Sequence, residues 1–175
     1  MKNEKRVKDS QTTMNELVLP NDTNTFGGLM GGRLLYWMDI CAAMAAQKHC
    51  NSVVVTASVD NVSFKKSIKL GEVLTIEAQV TRAFNTSIEV RMEVYGQNLP
   101  EGTKYKSNVA YYTFVAVDPE GKPRAVPKLI PESEYEKKLY EEAQLRRELR
   151  LILAGKINPK DASSLSELIR ASNVK

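Results

Sequence analysis

The sequence predicts an α+β fold: an antiparallel sheet wrapped around one long central helix, followed by a helical tail. Three observations carry this. Residues 33–50, RLLYWMDICAAMAAQKHC, hold no glycine, proline or β-branched run and read as a helix. Their apolar side chains go round the cylinder, the pattern of a helix buried on most sides. From residue 53 onward the apolar period changes to two, as in half-buried antiparallel strands. The helix then covers the inner face of the sheet, and the sheet covers the helix.

In chain order, residues 1–9 are charged and read as a flexible N-terminus. Residues 10–19 suit a first strand ending in ELVLP. The stretch PNDTNTFGGLMGG, from Pro20, is dense in turn formers and reads as a loop before the helix. Strands are expected at 53–64, 72–83, 87–96 and 104–117. In the second, Leu74, Ile76, Ala78 and Val80 alternate with Val73, Thr75, Glu77 and Gln79. In the third, Ile88, Val90, Met92 and Val94 alternate with Glu89, Arg91 and Glu93. Short turns at Phe84–Thr86 and NLPEGT suit hairpins. After the turn-rich DPEGKPRAVP, a charged helix is expected over 132–154, with Ser133 and Glu136 as a capping box and Gly155 ending it. A short last helix is expected over 158–171.

The 175 residues are 42% hydrophobic, enough for a core without metal or disulfide staples. The net charge of +4 suits an anionic ligand but is too small and dispersed to point to nucleic acid. Cys41 and Cys50 lack metal-ligand spacing and are too few for a disulfide scaffold, so a reducing, cytoplasmic setting is expected. His49 is the one histidine, which disfavours a zinc site or a histidine-based triad. It is expected to cap the helix end or meet solvent. No run approaches the roughly 20 apolar residues of a membrane span, and MKNEKRVKDS lacks the apolar core of a secretory signal.

Asp39 is the odd residue: a carboxylate in the most apolar segment of the chain. Burying it unpaired costs several kcal/mol, on the order of a lost buried ion pair, so it calls for a partner or a purpose. Structural pairing on a wet helix edge is the competing reading. Gly27, Gly28, Gly31 and Gly32 precede the helix, where free N–H groups suit an oxyanion. The GK[ST] ending of a phosphate-binding loop is missing.

The run PNDTNTFGGLMGGRLLYWMD, residues 20–39, resembles the signature of hotdog-fold acyl-CoA thioesterases, in the branch of the bacterial short-to-medium-chain and brain-type hydrolases. The likeness continues through KHCNS, SVDNVSFKKSIKLGE and AFNTSIEV and ends in TFVAVDPEGKPRAVP. It spans about residues 10–130, leaving 131–175 as a C-terminal helical extension that resembles the brain-type tail. One departure is Met30, where many members carry His or Phe.

The resemblance implies hydrolysis of fatty acyl-CoA, with Asp39 and Asn24 as the catalytic pair, contributed by opposite subunits of a dimer. Asp39 is expected to activate water or to attack directly, and Asn24 to orient the water or polarise the carbonyl. The amides of Gly31 and Gly32 are expected to hold the oxyanion. Thr86 and Ser87 match a family position near the pantetheine arm, and Lys65, Lys66 and Arg82 are candidates for the coenzyme A phosphates. A homodimer, assembled as a trimer of dimers, is expected, with no cofactor beyond the coenzyme A of substrate and product, no metal, and neither nucleic acid nor membrane as partner. A dehydratase on the same fold usually needs a site histidine, and His49 lies far from the glycine loop. A non-catalytic acyl-CoA sensor is the other reading, and retention of both Asp39 and Asn24 argues against it.

Overall fold

A computed structural model describes residues 3–60 and 62–172. Two units emerge, residues 1–130 and 131–175. In the first, the elements run β1 (Glu4–Arg6), β2 (Thr12–Leu17), α1 (Gly31–Cys50), β3 (Val53–Val59), β4 (Val73–Ala83), β5 (Ser87–Asn98), β6 (Thr103–Val117) and β7 (Lys128–Ile130). Strands β2-β4-β5-β6-β3 form one antiparallel sheet in that order. The period-two runs produce this: Leu74, Ile76, Val80, Ile88, Val90, Met92 and Val94 are all fully buried on one face, with Ala110, Tyr112, Phe114 and Ala116 of β6.

That face packs on α1. Leu34, Trp37, Met38, Cys41, Ala42, Ala45, Ala46, His49 and Cys50 are the buried side of the helix, recurring at the three-to-four spacing of one helical face. The all-round burial expected for α1 is not reached within one chain. Tyr36 and Met44 stay exposed, as do Val53, Val55 and Val59 on the edge strand β3. Val53 and Val55 project from the outer face of the edge strand and Val59 from its helix-facing side; apolar side chains exposed at a sheet edge are the kind that mark an interaction site.

The N-terminus departs from the expectation. Met1 and Lys2 lie outside the described residues, but Glu4–Arg6 pair in parallel with Lys128–Ile130. Val7 is buried. The Lys5 ammonium donates to the Lys48 carbonyl and to Asn51 Oδ1, at the negative end of α1. Main-chain pairing and a charged side chain at a helix terminus leave no apolar period, so the segment reads as disordered from composition alone. His49 is also corrected: it is fully buried, and its Nε2–H donates to the Pro127 carbonyl at 2.8 Å. Strand β3 ends at Val59, short of the expected Phe64, and Asn61 lies outside the described residues.

In the second unit, α2 (Glu134–Leu153) opens on the capping box: the Ser133 hydroxyl accepts from the Glu136 amide, and the Glu136 carboxylate accepts from the Ser133 amide at 3.0 Å. Gly155, at φ +66°, follows the helix. The last helix, α3 (Ser163–Ser172), begins later than residue 158 because Asn158 and Pro159 first form a 3-10 turn. Buried Glu148 of α2 accepts from the Leu165 amide at 2.9 Å and so caps the start of α3. No helix of the described residues is long and apolar enough to cross a membrane.

Candidate active site

The loop before α1 is tied down by two side chains. Buried Asp22 accepts from the Leu19 amide at 3.1 Å and pairs with Arg33 Nε at 2.9 Å, clamping the loop to the first turn of the helix. Asn24 Oδ1 accepts from the amides of Phe26 at 2.9 Å and Gly28 at 3.2 Å. Its own N–H donates to the Gly28 carbonyl at 2.8 Å. Gly27, between them, sits at φ +70°, a conformation that glycine adopts without strain. The loop thus consumes the acceptor end of the Asn24 amide.

Met30 precedes α1 in an extended conformation and supplies no side-chain cap. The first-turn amides at Gly31 and Gly32 therefore remain available at the positive end of the helix. The Phe64 ring packs against Gly31, where a Cβ would come within 3.1 Å of it.

Asp39 lies about 12 Å along the helix axis from Gly31, at 1.5 Å per residue. It is half-buried, at the margin of α1 and not in its core-facing stripe. Its Oδ1 accepts from the Thr56 hydroxyl of β3 at 2.7 Å. The β3–β6 register slips between Thr56 and Ser58. This bulge at Ala57 keeps Thr56, opposite Phe114, and Val59, opposite Tyr112, both on the helix-facing side; bulges re-aim side chains in this way. Thr56 was not singled out from the sequence. The signal available was a hydroxyl at an inward strand position otherwise taken by apolar residues.

The remaining candidates fall into two groups. Lys66 lies over the Tyr105 ring at 3.8 Å, and the Lys65 amide donates to Asn108 Oδ1 at 3.4 Å. Arg82 lies over Phe84 at 5.4 Å, Ser87 starts β5 opposite Val115, and the Thr86 carbonyl accepts from the Ala116 amide at 2.9 Å. These groups sit at opposite ends of β6, separated by about 25–35 Å along the strand. One chain does not bring these two groups together; Asn24 is held in the loop before α1 and Asp39 lies well along the helix. A cavity of about 430 Å³ lined by Cys50, Arg124 and Lys128 lies at the other end of α1. Among the described residues, no cluster of three His, Cys, Asp or Glu side chains could hold a metal.

A single long helix cradled by a five-stranded antiparallel sheet is the hotdog architecture. Residues 26–102 match the thioesterase superfamily model. The cytosolic acyl coenzyme A thioester hydrolase of Mus musculus is 37% identical over 142 residues, 80% of this chain; the chain spans only 37% of that relative's length. A hexameric acyl-CoA thioesterase crystal structure matches with a TM-score of 0.84 and 44% identity, covering 88% of this chain and 98% of that one. The acyl-CoA hydrolase of Staphylococcus aureus, solved with butyryl coenzyme A, coenzyme A and coenzyme A disulfide, matches with a TM-score of 0.80 and 37% identity, covering 87% of this chain and 95% of that one. Solved variants of that enzyme replace an aspartate, an asparagine or a threonine by alanine. The chain belongs to the thioesterase superfamily, within its acyl-CoA thioester hydrolases.

Proposed function

We propose that this chain hydrolyses acyl-CoA thioesters at a site completed by a second copy of itself. The observation that carries the reading is the Asp39–Thr56 pair: a half-buried carboxylate on an apolar helix, held by one hydroxyl at 2.7 Å. The substituted asparagine, aspartate and threonine of the Staphylococcus aureus enzyme stand at the same sequence intervals as Asn24, Asp39 and Thr56 here.

In this reading Asp39 takes a proton from water as general base. The hydroxide adds to the thioester carbonyl, the C–S bond breaks, and the proton held by Asp39 passes to the departing sulfur, so coenzyme A leaves as its thiol and the carboxylate is regenerated. With its Oδ1 taken up by the loop amides, Asn24 donates from Nδ2 to the carbonyl oxygen, and the Gly31 and Gly32 amides share the developing negative charge. Thr56 fixes the carboxylate rotamer. The cycle consumes only water, so it requires no cofactor beyond the coenzyme A of substrate and product.

A composite site would take Asn24 from one copy and Asp39 from the other, and the exposed Val53, Val55, Val59, Tyr36 and Met44 supply apolar contacts for the second copy. A trimer of such dimers is proposed from the hexameric neighbour. Joining subunits also offers a way to bring Lys65 and Lys66 of one chain toward Arg82, Thr86 and Ser87 of another, around one coenzyme A. The reduced, buried Cys41 and Cys50 fit a cytoplasmic setting.

Thiol release from a panel of acyl-CoAs, acetyl to palmitoyl, tests the proposal. Wild type is expected to release coenzyme A, and Asp39→Ala to lose turnover by orders of magnitude while staying folded. Release by neither protein would favour a non-catalytic acyl-CoA sensor, and near-normal release by Asp39→Ala would remove Asp39 from the mechanism.

A further inference from the structure

Tyr112 lies on the helix-facing side of β6, in the row of Ala110, Phe114 and Ala116, and is 1% exposed. Its hydroxyl oxygen is buried and meets no hydrogen-bond partner among the described residues. A phenylalanine would fill the same volume without stranding a polar atom, so the hydroxyl calls for a partner supplied in the working site. The position points to which site. Tyr112 stands opposite Val59 and Thr56 stands opposite Phe114, so Tyr112 is the diagonal neighbour of Thr56 on one face of the sheet. Diagonal neighbours lie about 7–8 Å apart, within reach of an aromatic side chain.

We propose that the Tyr112 hydroxyl is a positioning group for the water that Asp39 activates, an inference that rests on the thioesterase reading above. Of the two hydrogens of that water, one goes to Asp39 and the other to the Tyr112 oxygen, and the water lone pair is left facing the thioester carbon. Thr56 holds the carboxylate from one side, and Tyr112 fixes the water from the other. Burial first, and the negative charge of Asp39 second, push the Tyr112 phenol up to about 12. It therefore stays a neutral hydroxyl at the pH of the reaction and orients the water without taking its proton. Neither the glycine loop nor the coenzyme A candidates contain this residue.

The test is Tyr112→Phe in the full chain, assayed beside wild type on the acyl-CoA that wild type hydrolyses fastest, with thermal unfolding of both. The expected result is a fall in kcat of about tenfold or more, KM within twofold of wild type, and an unfolding midpoint equal to or above that of wild type. A kcat within twofold of wild type overturns the inference alone, as does a fall in kcat accompanied by a lowered midpoint. Absence of hydrolysis by wild type overturns the thioesterase reading and the inference with it.

Discussion

The Thr56 hydroxyl donates to Asp39 Oδ1 at 2.7 Å, joining an edge strand to the margin of the central helix. Neither residue reaches the other through local sequence; the bulge at Ala57 and the packing of α1 on the sheet bring them together. Thr56→Val keeps the shape of the side chain and removes the hydroxyl. Its kcat is expected to fall about tenfold or more, the scale of one lost hydrogen bond to a charged group in the transition state. Thr56→Ser, which keeps the donor, is expected to retain most of the activity. Steady-state rates of the two variants decide the point, and equal rates would show that Asp39 needs no such anchor.

Gly96 of β5 lies opposite Tyr105 of β6, and a Cβ at that glycine would come within 2.5 Å of the tyrosine ring. The Tyr105 hydroxyl donates to the Glu72 carboxylate, with the Ser67 carbonyl also 3.1 Å away, so the ring cannot swing aside freely. Gly96→Ala is therefore expected to destabilise the protein by about 1–3 kcal/mol, the range for overpacking. Urea unfolding measures it, and an unchanged midpoint would mean that the ring yields at no cost.

Burial lowers the pKa of His49, with the Pro127 carbonyl working in the opposite direction; nearby Lys5 disfavours the charged ring and Asp9 favours it. The unfolded chain therefore takes up the proton at a higher pH than the folded one, near the ordinary value of about 6.5. Stability from this group is complete above that pH and is lost as the pH falls through it toward the folded value, by at most about 1.4 kcal/mol per pH unit. His49→Gln keeps a donor for Pro127 without the titration. Its loss of stability between pH 7 and pH 5 is expected to be smaller than that of wild type in denaturant unfolding. Equal slopes would assign the acid sensitivity to other groups.

How much of this was legible in the sequence depends on the element. The alternation at 72–83 and 87–96 shows which side of each strand turns inward, because successive strand side chains point to opposite faces. The Ser133–Glu136 box marked the start of α2, since the cap is a contact between near neighbours in sequence. Strand β1 was not legible, because its pairing with β7 uses main-chain groups that every residue carries. Buried His49 was missed for a related reason. Its partner, the Pro127 carbonyl, lies far away in sequence and has no side-chain signature.

By itself, the sequence determined the order of the central helix and the long strands, the inward face of each long strand, and Asp39 as a carboxylate out of place in an apolar run. These follow from local periodicity and composition. Only the tertiary structure decided that Thr56 meets Asp39, that Tyr112 brings a buried hydroxyl alongside Thr56, and that the loop amides of Phe26 and Gly28 take up the Asn24 oxygen. Periodicity says which face a side chain takes, but its partner depends on strand register, a one-residue bulge and the placement of the helix, which are settled only when the whole sheet closes on its core.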